Sequence, residues 1–152
     1  MTAAATRLIL ERFYEALARR DAATMSALYA PDAAFTDPVF RLRGADIGRM
    51  WTSLLGRARD FSVDWEVRRA DPQGGEVAWT ARYLFGGKRR VVNVIESELK
   101  LVDGLIVEQN DRFDFPRWSS QALGLPGRLF GRTAWFRVAV GRKALRGIAP
   151  RS

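Results

Sequence analysis

The stretch Val91-Val92-Asn93-Val94-Ile95-Glu96-Ser97-Glu98-Leu99-Lys100-Leu101-Val102-Asp103-Gly104-Leu105-Ile106-Val107-Glu108-Gln109-Asn110-Asp111-Arg112-Phe113-Asp114-Phe115 decides the fold. Apolar and polar residues alternate on both sides of Asp103-Gly104. That dipeptide suits a two-residue hairpin turn, whose central positions both need positive φ. The spacing predicts two long strands, Val91 to Val102 and Leu105 to Phe115. A half-buried strand has one apolar face, and a polar residue on that face must be satisfied internally or be functional. Val91, Ile95, Leu99 and Leu101 mark the inner face of the first strand, with Asn93 and Ser97 as polar intruders. Leu105, Val107, Phe113 and Phe115 mark the inner face of the second, with Gln109 and Asp111 as intruders. Asp111 weighs most, because an unpaired buried carboxylate costs several kcal/mol. It is either the structural partner of an arginine or buried amide, or a group that faces a pocket.

Upstream of this hairpin the alternation continues. Phe61, Val63, Trp65 and Val67 alternate with Ser62, Asp64, Glu66 and Arg68. Asp71-Pro72-Gln73-Gly74-Gly75 reads as a turn, and Val77 to Phe85 as a strand closed by Gly86-Gly87. Both faces of that strand are partly apolar, so its orientation is left open. Four strands joined by hairpins imply an antiparallel sheet.

Before residue 60 the period is helical. Leu8, Ile9, Phe13, Ala16 and Leu17 share one face of a first helix. Asp21 is placed to cap a short second helix carrying Met25, Leu28 and Tyr29, which Pro31 helps to stop. Ala33 to Asp37 is a short extended piece before Pro38, which disfavours helical geometry at Asp37. Phe35 and Asp37 share a parity there, although Asp before Pro is also common turn chemistry. A third helix is predicted over Ala45 to Arg57, with Ile47, Met50, Trp51, Leu54 and Leu55 on one face. Helices first and sheet after imply an α+β domain.

Composition narrows the chemistry. The 152 residues include no Cys and no His. Thiolate nucleophiles, disulfides, imidazole bases and Cys- or His-ligated metals are therefore excluded. Acid–base work near neutral pH falls to carboxylates whose pKa a dry pocket raises. No metal site and no cofactor are expected. The longest apolar runs are too short to span a bilayer, and the first residues do not resemble a secretory signal, so a cytoplasmic location is expected.

The net charge of +8 is uneven. Residues 116–152 hold Arg117, Arg128, Arg132, Arg137, Arg142, Lys143, Arg146 and Arg151 and no acidic residue. The division is therefore an α+β domain over 1–115 and a basic helical C-terminal extension of the same domain over 116–152. Leu125-Pro126-Gly127 interrupts the extension, and a helix is predicted from about Arg128 to Arg146. The extension is expected to dock on its own domain or on a dimer partner, covering pocket or sheet. Lying on an anionic membrane surface is the second arrangement. Nucleic-acid binding ranks last, since no base-reading motif is present, and no specific nucleic acid is expected.

The order of elements resembles the nuclear-transport-factor-2-like superfamily, especially its SnoaL-like and ketosteroid-isomerase-like members. Arg12-Phe13-Tyr14-Glu15-Ala16-Leu17-Ala18-Arg19-Arg20-Asp21, Leu28-Tyr29-Ala30-Pro31-Asp32-Ala33-Ala34-Phe35-Thr36-Asp37-Pro38 and Val102-Asp103-Gly104-Leu105-Ile106-Val107 with Asp111-Arg112-Phe113-Asp114 carry the likeness, over about residues 7–115. It implies three N-terminal helices packed on a strongly curved, mainly antiparallel sheet, a cone with a pocket at its open end. It implies a homodimer as well. Asp37 falls where the isomerase-like members keep a general base. Asp111 falls where SnoaL-like cyclases and limonene-epoxide-hydrolase-like members keep an acid–base carboxylate. The isomerases' helix-one tyrosine aligns with Phe13, one residue from Tyr14, and their oxyanion-hole aspartate aligns near Ser97. The epoxide hydrolases' Arg–Asp pair has no clear counterpart on the strand holding Arg82.

The expectation is a small hydrophobic molecule bound in the cone, with Asp37 and Asp111 as candidate catalytic groups of an isomerase, cyclase or hydrolase. Tyr14, Asn93, Ser97 and Gln109 are candidate hydrogen-bond donors, and Trp51, Trp65, Trp79, Phe35 and Phe113 a candidate aromatic wall. The alternative is a non-catalytic ligand-binding or dimerisation domain, with the basic tail contacting a partner or membrane surface.

Overall fold

In the computed structural model, which describes residues 1–148, the chain is an α+β cone. Its elements are α1 (Ala3–Ala18), α2 (Ala22–Ala27), β1 (Tyr29–Thr36), β2 (Arg41–Arg43), α3 (Ala45–Arg57), β3 (Arg59–Asp71), β4 (Gly74–Phe85), β5 (Arg89–Val102), β6 (Leu105–Arg112), α4 (Phe115–Leu123), α5 (Leu125–Phe130) and α6 (Ala134–Ile148). The sheet order is β2-β1-β6-β5-β4-β3. Every pairing is antiparallel except β1 with β6. The sheet is thus mainly antiparallel, and it curls around α1 without closing.

Local chemistry explains most of the element boundaries. Thr2 caps α1 through its hydroxyl, and Asp21 caps α2 through its carboxylate. Asp103 and Gly104 both have positive φ, 52° and 82°, the geometry of the tight hairpin between β5 and β6. Along β5 the residues Val91, Asn93, Ile95, Ser97, Leu99 and Leu101 are all buried, as strand parity predicts. β4 takes the orientation its sequence leaves open, with Val77, Trp79 and Ala81 inward.

Parity fails at one point in β6. Ile106 is fully buried and Val107 only partly so, while Gln109 and Asp111 remain inward. The register slips between Lys100 and Leu101, so that Lys100 faces Glu108 and Leu101 faces Ile106. Val107 is the extra residue of this bulge, and such bulges bend the strand that carries them. Alternation read straight through a bulge is wrong on one side of it.

Other boundaries differ from the sequence reading. Pro31 lies inside β1, and Leu28 and Tyr29 lie beyond α2. In α1 the core face is Leu10, Phe13, Tyr14, Ala16 and Leu17, while Leu8 is exposed. Leu54 likewise turns out of the core face of α3. β6 ends at Arg112, because Asp114 caps a new helix through the Arg117 amide. Phe115 therefore begins α4 and is not a strand residue. Among the described residues the extension holds three helices where one is predicted. Gly124, at φ 66°, separates α4 from α5, and Pro126 sits in the first turn of α5, where a missing N–H costs nothing. Arg151 lies outside the described residues.

Candidate functional site

The parallel pairing of β1 with β6 sets Phe35 beside Gln109 and Thr36 beside Asn110. Asp37 follows Thr36 just beyond the end of β1, as Asp111 follows Asn110 in β6, so the two carboxylates come to the same end of the paired strands. On the other side of β6, Asp111 faces Ser97 of β5. Two residues 74 positions apart in the chain thus meet at one end of the sheet because a single parallel strand is inserted next to the last hairpin.

Asp111 is buried and sits at the convergence of two hydrogen-bond chains. Trp51 donates its indole N–H to Tyr29 Oη at 3.0 Å, and Tyr29 donates to Gln109 Oε1 at 2.5 Å. Gln109 Nε2 then donates to Asp111 Oδ1 at 3.0 Å. From the opposite side Trp79 donates to Ser97 Oγ at 2.7 Å, and Ser97 donates to the same Asp111 Oδ1 at 2.5 Å. Both chains run one way, because an indole only donates while a hydroxyl donates and accepts. Asp111 Oδ2 has no protein partner, and Asp111 forms no ion pair, among the described residues.

Asp37 is half-buried just beyond β1. Its Oδ1 accepts from the amides of Val39 at 2.7 Å and Phe40 at 2.6 Å, an Asx turn that holds the carboxylate in place. Its Oδ2 is likewise without a partner among the described residues. The pair therefore shares a pattern: one oxygen fixed by the protein and one left for something else.

Both carboxyl groups line a cavity of about 880 Å³ at the open end of the cone. Phe35, Trp51, Trp79, Asn93 and Phe113 line it too, so these residues come together there. Tyr14, Ser97 and Gln109 do not reach the cavity. Ser97 and Gln109 stand behind Asp111, and each spends its donor on Asp111 Oδ1. Tyr14 is fully buried, and its hydroxyl has no hydrogen-bond partner among the described residues. Trp65 packs on Tyr14 at 6.2 Å between ring centroids and is not part of the wall. Arg82 pairs with exposed Asp64 and stays outside the cone. Among the described residues no three acidic side chains gather where they would hold a metal ion.

Burial in an apolar setting dominates the electrostatics. It pushes the Asp111 pKa up to about 7, against the opposing hydrogen bonds from Ser97 and Gln109, with a smaller upward push from the Asp37 charge. Burial also pushes Asp37 up to about 6, against the two backbone amides of its turn. Burial first, then the nearby Asp111 charge, holds the Tyr14 phenol well above its ordinary range.

Two groups of site residues were not found by sequence reasoning. Tyr29 reads as a helix residue, which hides its role between Trp51 and Gln109. The individual residues of the roof are the other, although the extension itself is expected to cover pocket or sheet. Phe136, Val140, Lys143, Ala144 and Ile148 of α6 line the cavity opposite the sheet. Their placement depends on Gly141, whose missing side chain lets α6 approach Val39; a Cβ there would lie 2.8 Å from the Val39 carbonyl oxygen.

A family model described as a SnoaL-like domain matches residues 10–109. The chain belongs to the SnoaL-like family. Solved structures with the same fold surround it. An epoxide hydrolase of the limonene-epoxide-hydrolase-like type from M. tuberculosis is 25% identical, with a TM-score of 0.61, covering 84% of this chain and 96% of that one. A nuclear-transport-factor-2-like protein of unknown function from Burkholderia pseudomallei is 19% identical, with a TM-score of 0.66, covering 78% and 97%. A protein with a ketosteroid-isomerase-like fold from Catenulispora acidiphila, solved with trimethylamine, is 18% identical, with a TM-score of 0.62, covering 79% and 95%. No curated protein matches the sequence. The SnoaL-like match ends before Asp111 and the extension, so that carboxylate and the roof lie outside the matched segment.

Proposed function

We propose that this SnoaL-like protein binds a small hydrophobic molecule in its cone and performs carboxylate acid–base catalysis on it without a cofactor. The observation that carries this is the state of Asp111: buried, unpaired with any cation among the described residues, held there through Oδ1 alone, and lining an apolar cavity together with Asp37. The Gln109 amide gives Asp111 one structural partner, but a carboxylate kept only for structure would not also turn a second, unpartnered oxygen toward a cavity.

The division of labour follows from the two environments. The pair titrates with apparent values near 6 and 7. Between them one carboxyl is ionised and one is protonated. Asp37 is then the base that removes a proton from carbon or from a water molecule. Asp111 is the acid, with its proton on Oδ2 because Oδ1 already accepts from Ser97 and Gln109. That proton is available to an oxygen of the bound molecule. Ser97 and Gln109 are positioning residues under this reading, not oxyanion donors. Asn93 lies four residues along β5 from Ser97, about 13 Å at ordinary strand rise, and its side chain makes no hydrogen bond to a described residue. It would meet the far end of a ligand.

The likeness to an epoxide hydrolase favours opening of an epoxide by water as the first chemistry to try. Isomerisation of an enone needs the same pair. The test is turnover of hydrophobic epoxide and enone panels, read with an NMR titration of the aspartate carboxyls. Asp37→Asn and Asp111→Asn should each lower kcat/KM about 10²–10⁴-fold, the usual worth of general acid–base catalysis. The wild-type pH profile should be a narrow bell with limbs near 6 and 7. Carboxyls that both titrate in the ordinary range near 4 would leave non-catalytic binding as the better reading.

A further inference from the structure

We propose that α5 and α6 form a docking surface for an anionic membrane, which seats the roof of the cavity at the bilayer surface. This goes beyond the reading of the pocket and does not depend on it.

The two faces of α6 differ. Its inner face, with Phe136, Val140 and Ala144, covers the cavity. Its outer face presents Trp135, Val138, Arg142, Leu145 and Arg146, at the i, i+3, i+7, i+10 and i+11 spacing that aligns side chains along one side of a helix. All five are exposed, Trp135 by 61%. The patch continues onto α5, where Leu125 and Leu129 are 65% and 63% exposed and flank Arg128. Phe130 joins the two helices, its ring centroid 5.3 Å from that of Trp135. No acidic residue occurs between Phe115 and Ile148.

Bulky apolar side chains interleaved with arginines call for a partner that satisfies both. A bilayer containing anionic lipid does so, taking Trp and Leu at the headgroup boundary and the guanidinium groups among phosphates. A nucleic acid backbone would neutralise the arginines and leave Leu125, Leu129 and Val138 in water. A second copy of the chain fits worse still, because a two-fold contact would set the same basic patch against itself. Among the described residues no helix is long and apolar enough to cross a membrane, and the contact proposed is a peripheral one.

The experiment is co-sedimentation of the full chain with phosphatidylcholine vesicles, with and without phosphatidylglycerol, at low and high salt. Quenching of tryptophan fluorescence by brominated lipid is read alongside. Binding should require phosphatidylglycerol and weaken with salt. Arg142→Gln with Arg146→Gln should weaken it about fivefold per charge, roughly 25-fold together. Trp135→Phe should retain most of the binding and lose most of the quenching. These residues point outward, so the variants should keep the wild-type circular dichroism spectrum. No sedimentation with phosphatidylglycerol vesicles at low salt would overturn the proposal. So would binding without bromolipid quenching, quenching unchanged by Trp135→Phe, or displacement from vesicles by random duplex DNA at lower concentration than by free lipid.

Discussion

The floor of the cavity is a row of strands tied together by side-chain hydrogen bonds, whereas its roof rests on apolar packing. The floor runs from Trp51 through Tyr29 and Gln109 to Asp111, and back through Ser97 to Trp79. α6 has one hydrogen bond to the body among the described residues, from Arg57 to the Gly147 carbonyl at 3.1 Å. α4 is intermediate: Gln121 accepts from the Val92 amide, and Trp118 donates to Tyr83. Floor and roof line the same space but should open at different free energies. The floor belongs to the core that unfolds only globally, and the roof to the part able to open locally.

The largest effect that probes the floor is chemical, the loss of turnover in Asp37→Asn and Asp111→Asn. The next is the dependence of stability on pH. Both carboxyls have folded pKa values raised above the unfolded value near 3.9. The folded state therefore holds its protons more tightly than the unfolded state. Their stabilising contribution is complete below about pH 4 and is lost as pH rises through 6 and 7. Urea unfolding of the wild type should show stability falling by a few kcal/mol from this source between those limits. Asp111→Asn should flatten the upper part of that fall. A wild type whose stability rises from pH 4 to 7 and is unaffected by Asp111→Asn would mean that the floor carboxylates are solvated.

A smaller effect tests the network itself. Gln109→Leu removes an acceptor from Tyr29 and a donor from Asp111 while keeping the volume similar. It should cost about 1–3 kcal/mol in urea unfolding, the penalty of leaving a buried hydroxyl unsatisfied. It should also raise the Asp111 pKa further, because the Gln109 hydrogen bond lowers it. A loss of stability with an unmoved Asp111 titration would make Gln109 a packing residue and no more.

How much of this was legible in the sequence follows the same division. β5 reads cleanly because its inner positions alternate without interruption, and that alone brings out Asn93 and Ser97. Gln109 and Asp111 are legible only from the Asp111 side, since the bulge at Val107 shifts the parity of everything before it. Asp37 could be matched by resemblance, but its place beside Asp111 depends on a parallel pairing that hairpin logic does not supply. Tyr29 escapes the sequence reading because Pro31 reads as a helix stop, although proline is also tolerated in a strand where no amide is needed. The roof left the weakest trace. Glycines at 131 and 141 weaken a helix by propensity, and what they provide instead, close approach to another segment, is a tertiary fact.

That tertiary fact gives the smallest and most selective test. In an exposed helix, Gly→Ala gains about 1 kcal/mol. At Gly141 the new Cβ would meet the Val39 carbonyl oxygen at 2.8 Å, a backbone atom beside the Asp37 turn that has little room to yield. Gly141→Ala should therefore lift α6 while making its isolated helix better. Amide exchange across α6 should accelerate about tenfold or more, while the midpoint of global unfolding moves by less than about 1 kcal/mol, since the floor network is untouched. Exchange in β5 and β6 should stay as it was. If Gly141→Ala instead lowered global stability as far as Gln109→Leu does, with α6 and β6 exchanging together, then roof and floor would be one cooperative unit. Access to Asp37 and Asp111 would then require opening the whole cone and not the movement of a single helix.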